Sequence, residues 1–167
     1  MKDRQADLLE LLDKSGESLY ALLTRLTLRE DVAEELMQEL FLKLSNSGRF
    51  DKAGNRDAYV RRAAINLAFD WRRKQRQNLL RLEQVREPAS DDSSPLGKLV
   101  RSEELEEILN AIGRLKGTYR EVFVMRHIQQ QSYDYIAEQL GKTSHQVRAL
   151  CSKALSRLRD LLGSNQS

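Results

Sequence analysis

Both prolines of this chain fall inside one polar stretch, EPASDDSSPLGK (87–98), and on either side of it apolar residues recur at three- and four-residue steps. Proline interrupts helices and small polar residues favour turns, so the stretch reads as a linker between two helical units. Leu8, Leu11, Leu12, Leu19, Leu22, Leu23 and Leu26 run ahead of it, interrupted near Ser15 and Gly16, which predicts one broken helix or two short ones. Ala33, Leu36, Met37, Leu40, Phe41 and Leu44 follow from an acidic start and stop before SNSG, the pattern of an amphipathic helix. After a loop, GRFDKAGNRD, Val60, Ala63, Ala64, Leu67, Ala68 and Trp71 keep the same step. No stretch alternates with the period of two that a half-buried strand needs. The expected class is therefore all-α, with two small domains at 1–77 and 101–167 and a flexible acidic linker over 78–100.

Charge separates along the chain. The formal net charge is only +3, yet Arg61, Arg62, Arg72, Arg73, Lys74, Arg76 and Arg81 crowd one segment and Arg148, Lys153, Arg157 and Arg159 another. Residues 83–107 between them are strongly acidic. No apolar run approaches the roughly 20 residues that span a bilayer, and MKDRQADLLELLDK lacks the apolar core of a signal peptide, so no membrane insertion and a cytoplasmic location are expected. One cysteine, Cys151, excludes an intramolecular disulfide, and with His127 and His145 as the only imidazoles no metal site and no cofactor are expected. There is no G-x-x-x-x-G-K loop and no H-E-x-x-H, and Asp91 with Asp92 read as solvated linker residues, so no catalytic residue and no enzymatic activity are expected. Cys151 reads as a buried thiol.

The second half carries the most diagnostic pattern. LEEILNAIGRL, TYREVFVMRHI and SYDYIAEQL read as three helices, the third capped by Ser132 and released at Gly141. Thr143 and Gln146 then form a T-x-x-Q capping box that opens a fourth, with Val147, Leu150, Cys151, Ala154, Leu155 and Leu158 inward. Two short helices about a tight glycine turn, the second one basic, describe a helix-turn-helix. Its reachable surface is Thr143, Ser144, His145, Gln146, Arg148, Ala149, Ser152 and Lys153, where backbone amides meet phosphate and side chains reach base edges in the major groove. A helical packing unit with a merely solvated basic face fits the same pattern. In AINLAFDWRRKQR (64–76), at about 100° per residue, Trp71 falls on the stripe of Val60, Ala64 and Leu67 as a core anchor. Arg62, Ile65, Asn66, Phe69, Arg72 and Arg73 take the opposite side.

In order and spacing, REDVAEELMQELFLKL, AYVRRAAINLAFDWRR and TYREVFVMRHIQQQSYDYIAEQLGKTSHQVRALCSKALSRLRDLL resemble the sigma-70 family of bacterial RNA polymerase sigma factors, in its compact extracytoplasmic-function type. The resemblance covers about 17–77 and 104–162. It implies an N-terminal domain that reads and melts the minus-ten promoter element, a C-terminal one that reads the minus-thirty-five element, core RNA polymerase and promoter DNA as partners, and room for an anti-sigma factor. Glu35, Gln38 and Glu39 match the helix that docks on the polymerase clamp, and Lys52, Gly54 and Asn55 match the segment that captures a flipped base. Asn66 in INLAFD matches the family's minus-ten pattern and can bond DNA or a neighbouring backbone, and Arg62, Phe69, Arg72 and Arg73, on the same side of the helix, are the minus-ten candidates beside it. The chain departs from the pattern at Arg56-x-x-Tyr59, where an aromatic and a tryptophan are usual, and at Lys142, Gln146 and Leu150 in the recognition motif. The Arg56 and Leu150 departures admit a competing reading, a sigma-like module that occupies polymerase or an anti-sigma protein without opening promoters. A plain helix-turn-helix repressor would bind its site without core enzyme.

Overall fold

The computed structural model describes residues 4–85 and 96–164, all of whose regular structure is helical. The order is α1 (Arg4–Thr27), α2 (Glu30–Ser45), α3 (Gly48–Lys52), α4 (Arg56–Val85), α5 (Leu96–Gly113), α6 (Gly117–Phe123), α7 (Tyr133–Leu140) and α8 (Ser144–Ser164). The prolines and the Asp91 and Asp92 pair lie outside the described residues, and helix occupies 78–85 and 96–100 of the expected linker.

Helix α1 is continuous. Gly16 has open space where a side chain would sit, and the leucine stripe carries through it, with Leu8, Leu19, Leu22, Leu23 and Leu26 buried. Burial of that stripe outweighs the local cost of roughly 1 kcal/mol for a helical glycine. The chain reverses at Leu28, a non-glycine residue at φ +63°. The buried Thr27 hydroxyl supports this turn, donating to Leu23 O at 2.7 Å and accepting from Arg29 N–H at 3.3 Å. Helix α2 then buries Val32, Ala33, Leu36, Leu40 and Leu44 against α1 and α4.

The expected loop after α2 holds one helical turn, α3, pinned by Phe50, which is fully buried. Tyr59 lies 6.3 Å from the Phe50 ring and its hydroxyl meets Ser47 Oγ at 3.1 Å, while the Arg56 guanidinium sits 5.3 Å over that ring and pairs with Asp7 at 3.4 Å. The residues that depart from the usual aromatic pair thus anchor the loop by ring packing and an ion pair.

A large hydrophobic cluster joins the two halves. It takes in the α1, α2 and α4 stripes together with Leu109, Ile112 and Leu115 of α5 and its following turn, Phe123 and Val124, and Ala154 and Leu158 of α8. A second, smaller core lies under the C-terminal helices and comprises Val122, Met125, Ile136, Ala137, Val147 and Cys151. Helix α6 widens into a π turn over Val124–Ile128, closed by Gln129 N–H to Val124 O at 3.0 Å.

Candidate nucleic-acid and polymerase interface

The helix-turn-helix forms from the expected signals. Ser132 Oγ accepts from Tyr135 N–H at 3.1 Å, and α7 ends at Gly141 with φ +65°, a left-handed conformation that favours glycine. The capping box is reciprocal: Gln146 N–H donates to Thr143 Oγ1 at 3.1 Å and Thr143 N–H to Gln146 Oε1 at 2.9 Å. The Gln146 side chain is therefore engaged at the helix start. Thr143, His145, Arg148, Ala149, Ser152 and Lys153 are exposed on one surface with Gln146, while Ser144 is half-buried and donates to Asp134 of α7. Arg148 stacks 5.0 Å over the Tyr133 ring, which also carries Arg126 at 4.1 Å. Leu150 packs against the small core, so an apolar residue there serves packing.

On α2, Glu35, Gln38 and Glu39 are exposed together opposite the buried stripe. In the loop before α4, Lys52 and Gly54 are exposed, but Asn55 has a structural task, its Oδ1 capping α4 through Ala58 N–H at 3.0 Å. Its Nδ2 donates to Gln139 at 3.4 Å, and Arg61 Nη2 donates to the same Gln139 oxygen at 2.9 Å.

The face of α4 opposite Trp71 differs from expectation. Ile65, Phe69 and Arg72 are buried, because α5 and α6 lie across them. The exposed placement expected for Phe69 and Arg72 is thereby corrected. Arg72 donates to Leu26 O at 3.2 Å, to Asn110 Oδ1 at 3.2 Å, and to the carboxylate of Glu106. Desolvation pushes its pKa down, opposed by Glu106. Arg62 Nε donates to Glu121 at 3.1 Å. Asn66 Oδ1 accepts from Arg120, whose guanidinium stands 5.0 Å over the Phe69 ring. Burial lowers the Arg120 pKa, with Asp70 and Glu121 opposing. Arg73 stays exposed beside Asp70 at 3.3 Å. Trp71 is half-buried against the main core, on the stripe where the spacing puts it.

Comparison with known proteins matches these two halves separately. Sigma-70 region 2 matches residues 11–78 and Sigma-70, region 4 matches 105–158. The chain belongs to the sigma-70 family. Its relatives include the RNA polymerase sigma-E factor of Streptomyces avermitilis, 29% identical over 135 residues, which are 79% of this chain and 72% of that protein. The ECF RNA polymerase sigma factor SigE of Mycolicibacterium smegmatis is 27% identical over 162 residues, 95% of this chain and 62% of that one. Among solved structures, the sigma factor RpoE of Bartonella quintana, in complex with the anti-sigma factor NepR, is 22% identical with a TM-score of 0.50 over 98% of each chain, a likeness of fold. The chain is an alternative sigma factor of the extracytoplasmic-function type, and sigma factors are regulators of transcription initiation rather than classical enzymes. No described helix is long and apolar enough to cross a membrane.

Within this sigma factor, sequence reasoning missed the partners of the α4 face. Glu106, Asn110, Arg120 and Glu121 all come from the far side of the linker. It also missed Tyr133 as the platform of Arg148.

Proposed function

We propose that this sigma factor binds core RNA polymerase in the cytoplasm, directs it to two-element promoters and assists their melting, without a catalytic step of its own. The observation that carries the reading is the capped, exposed start of α8 on the region 4 half of a chain whose region 2 half presents a separate acidic face on α2. Glu35, Gln38 and Glu39 dock on the polymerase clamp, an acidic and polar face left free by the buried stripe of the same helix. Helix α8 enters the major groove of the upstream element, with Arg148 and Lys153 on phosphate or base edges, alongside Thr143, Ser144, His145, Gln146, Ala149 and Ser152. Lys52, Gly54 and Asn55 with Arg62, Asn66, Phe69, Arg72 and Arg73 serve the minus-ten element, once the face of α4 is uncovered. An anti-sigma protein is a further partner, on the strength of the complex formed by the structurally similar protein.

In-vitro transcription with core enzyme over fragments of the source genome tests this reading, and specific transcripts are expected. Tight core binding without any transcript would overturn it. The covered face of α4 favours a second reading, a module that holds polymerase or an anti-sigma protein without opening promoters, and the same assay separates the two.

A further inference from the structure

The recognition surface takes its shape from the first turn of α7 as well as from α8. Asp134 accepts from the Ser144 hydroxyl, and the neighbouring Tyr133 ring lies beneath Arg148, whose guanidinium carbon stands 5.0 Å from the ring centroid. Tyr133 is half-buried and packs against the small core, and Ser132 beside it caps α7, so core and backbone together fix where the ring sits. The same ring carries Arg126 at 4.1 Å, but Nη1 of that guanidinium is committed to Gln131 O at 3.0 Å. Arg148 is exposed and makes no hydrogen bond and no ion pair among the described residues, which leaves the ring as the group that holds it. The Tyr133 hydroxyl likewise has no hydrogen bond among the described residues.

An arginine loose in water gives up rotamer entropy when it docks on a base edge. A guanidinium held over an aromatic ring has surrendered part of that freedom beforehand, and its unpaired N–H groups remain available for a double acceptor such as guanine N7 and O6. We propose that Tyr133 is a specificity-determining positioning residue for the upstream element: it touches no base, and it sets through Arg148 which base edge α8 reads. The ring performs this task and the hydroxyl takes no part. The inference rests on the upstream-element reading of α8 and deepens it. A role confined to packing has a different consequence, since a loosened α7 would weaken binding to every upstream sequence alike.

The test uses holoenzyme formed with core RNA polymerase on a promoter that the wild-type chain transcribes, randomised over its upstream element, with transcripts counted by sequencing. Tyr133→Phe is expected to keep the wild-type base preference. Tyr133→Leu is expected to lower discrimination at one upstream position about two- to fivefold, the factor of one exposed cation–π contact, and to leave the other positions alone. Arg148→Ala is expected to lower it at that same position about fivefold or more. Arg148→Ala combined with Tyr133→Leu is expected to equal Arg148→Ala, because the ring acts only through the guanidinium. Tyr133→Met, which keeps an apolar contact with the small core, serves where the leucine variant fails to fold. Loss spread evenly over all positions, loss that adds to that of Arg148→Ala, or a loss in Tyr133→Phe as large as in Tyr133→Leu overturns the positioning role. Retention of the preference by Tyr133→Leu when Arg148→Ala has lost it also overturns that role, and leaves the reading of α8 standing. Full retention by Arg148→Ala, or absence of transcripts from the wild-type holoenzyme, removes the reading of α8 and the positioning role with it.

Discussion

Phe50 is the residue on which the loop between α2 and α4 depends, and its removal has a calculable cost. The ring is fully buried, has Tyr59 at 6.3 Å and carries the Arg56 guanidinium at 5.3 Å. Truncating a buried phenylalanine to alanine costs about 3–5 kcal/mol in lost transfer energy and residual cavity. Loss of the ring pair, about 0.5–1.5 kcal/mol, and of the cation–π contact, about 0.5–1 kcal/mol, places Phe50→Ala in the upper part of that range. Phe50→Leu keeps most of the volume and is expected to lose roughly 1–2 kcal/mol. Urea unfolding followed by the fluorescence of Trp71 measures both. At a slope of about 2 kcal/mol per molar, a 4 kcal/mol loss moves the midpoint by about 2 M. Since α3 is a single turn with little propensity to stand alone, the alanine variant is also expected to fail in promoter opening, read by permanganate reactivity, while still binding core enzyme. A midpoint shift of less than about 0.5 M, or normal opening by the alanine variant, would refute the claim that Phe50 organises this loop.

Three further outcomes follow from the geometry. Ser132→Ala removes the cap of α7 and is expected to cost about 1 kcal/mol of thermal stability, with weaker binding of the upstream element in a gel-shift assay. Burial and then Arg126 hold the His127 pKa below its ordinary 6.5, so folding disfavours the protonated ring. Its contribution is present above pH 6.5 and is lost as pH falls below it. His127→Gln is therefore expected to flatten the stability profile on the acid side in denaturant titrations. Burial pushes the Cys151 thiol pKa up, and its Sγ lies 3.9 Å from Val122 O, so iodoacetamide is expected to modify it far more slowly in the native chain than in urea.

How far the sequence discloses the molecule depends on how local each determinant is. Helices α7 and α8 were legible because both their apolar spacing and their caps lie within a few residues, as in the Thr143 and Gln146 pair, and α2 because its apolar spacing follows an acidic first turn. The outward group of Glu35, Gln38 and Glu39 followed from the buried stripe of the same helix. The break expected in α1 did not materialise, since a glycine's conformational cost is smaller than the burial gained by keeping the leucine stripe in register. The one-turn helix at Phe50 was read as loop because a five-residue element has no period to detect.

The fate of α4 shows what lies beyond local pattern, and also what hint was available. Helical angle placed Ile65, Phe69 and Arg72 correctly on the side away from Trp71, but angle does not say whether that side meets solvent. Their cover comes from residues far along the chain, with Glu106 and Asn110 at 34 and 38 positions from Arg72. No propensity or short-range spacing encodes such a pairing. Ile65 and Phe69, however, are four apart and apolar, a second stripe on a helix whose first stripe is already complete. A helix with one core partner needs one stripe; two opposed stripes require two layers. Read that way, the α4 sequence demands a covering element, and α5 supplies it with Leu109 and Ile112 on one side and Glu106 and Asn110 aligned toward Arg72.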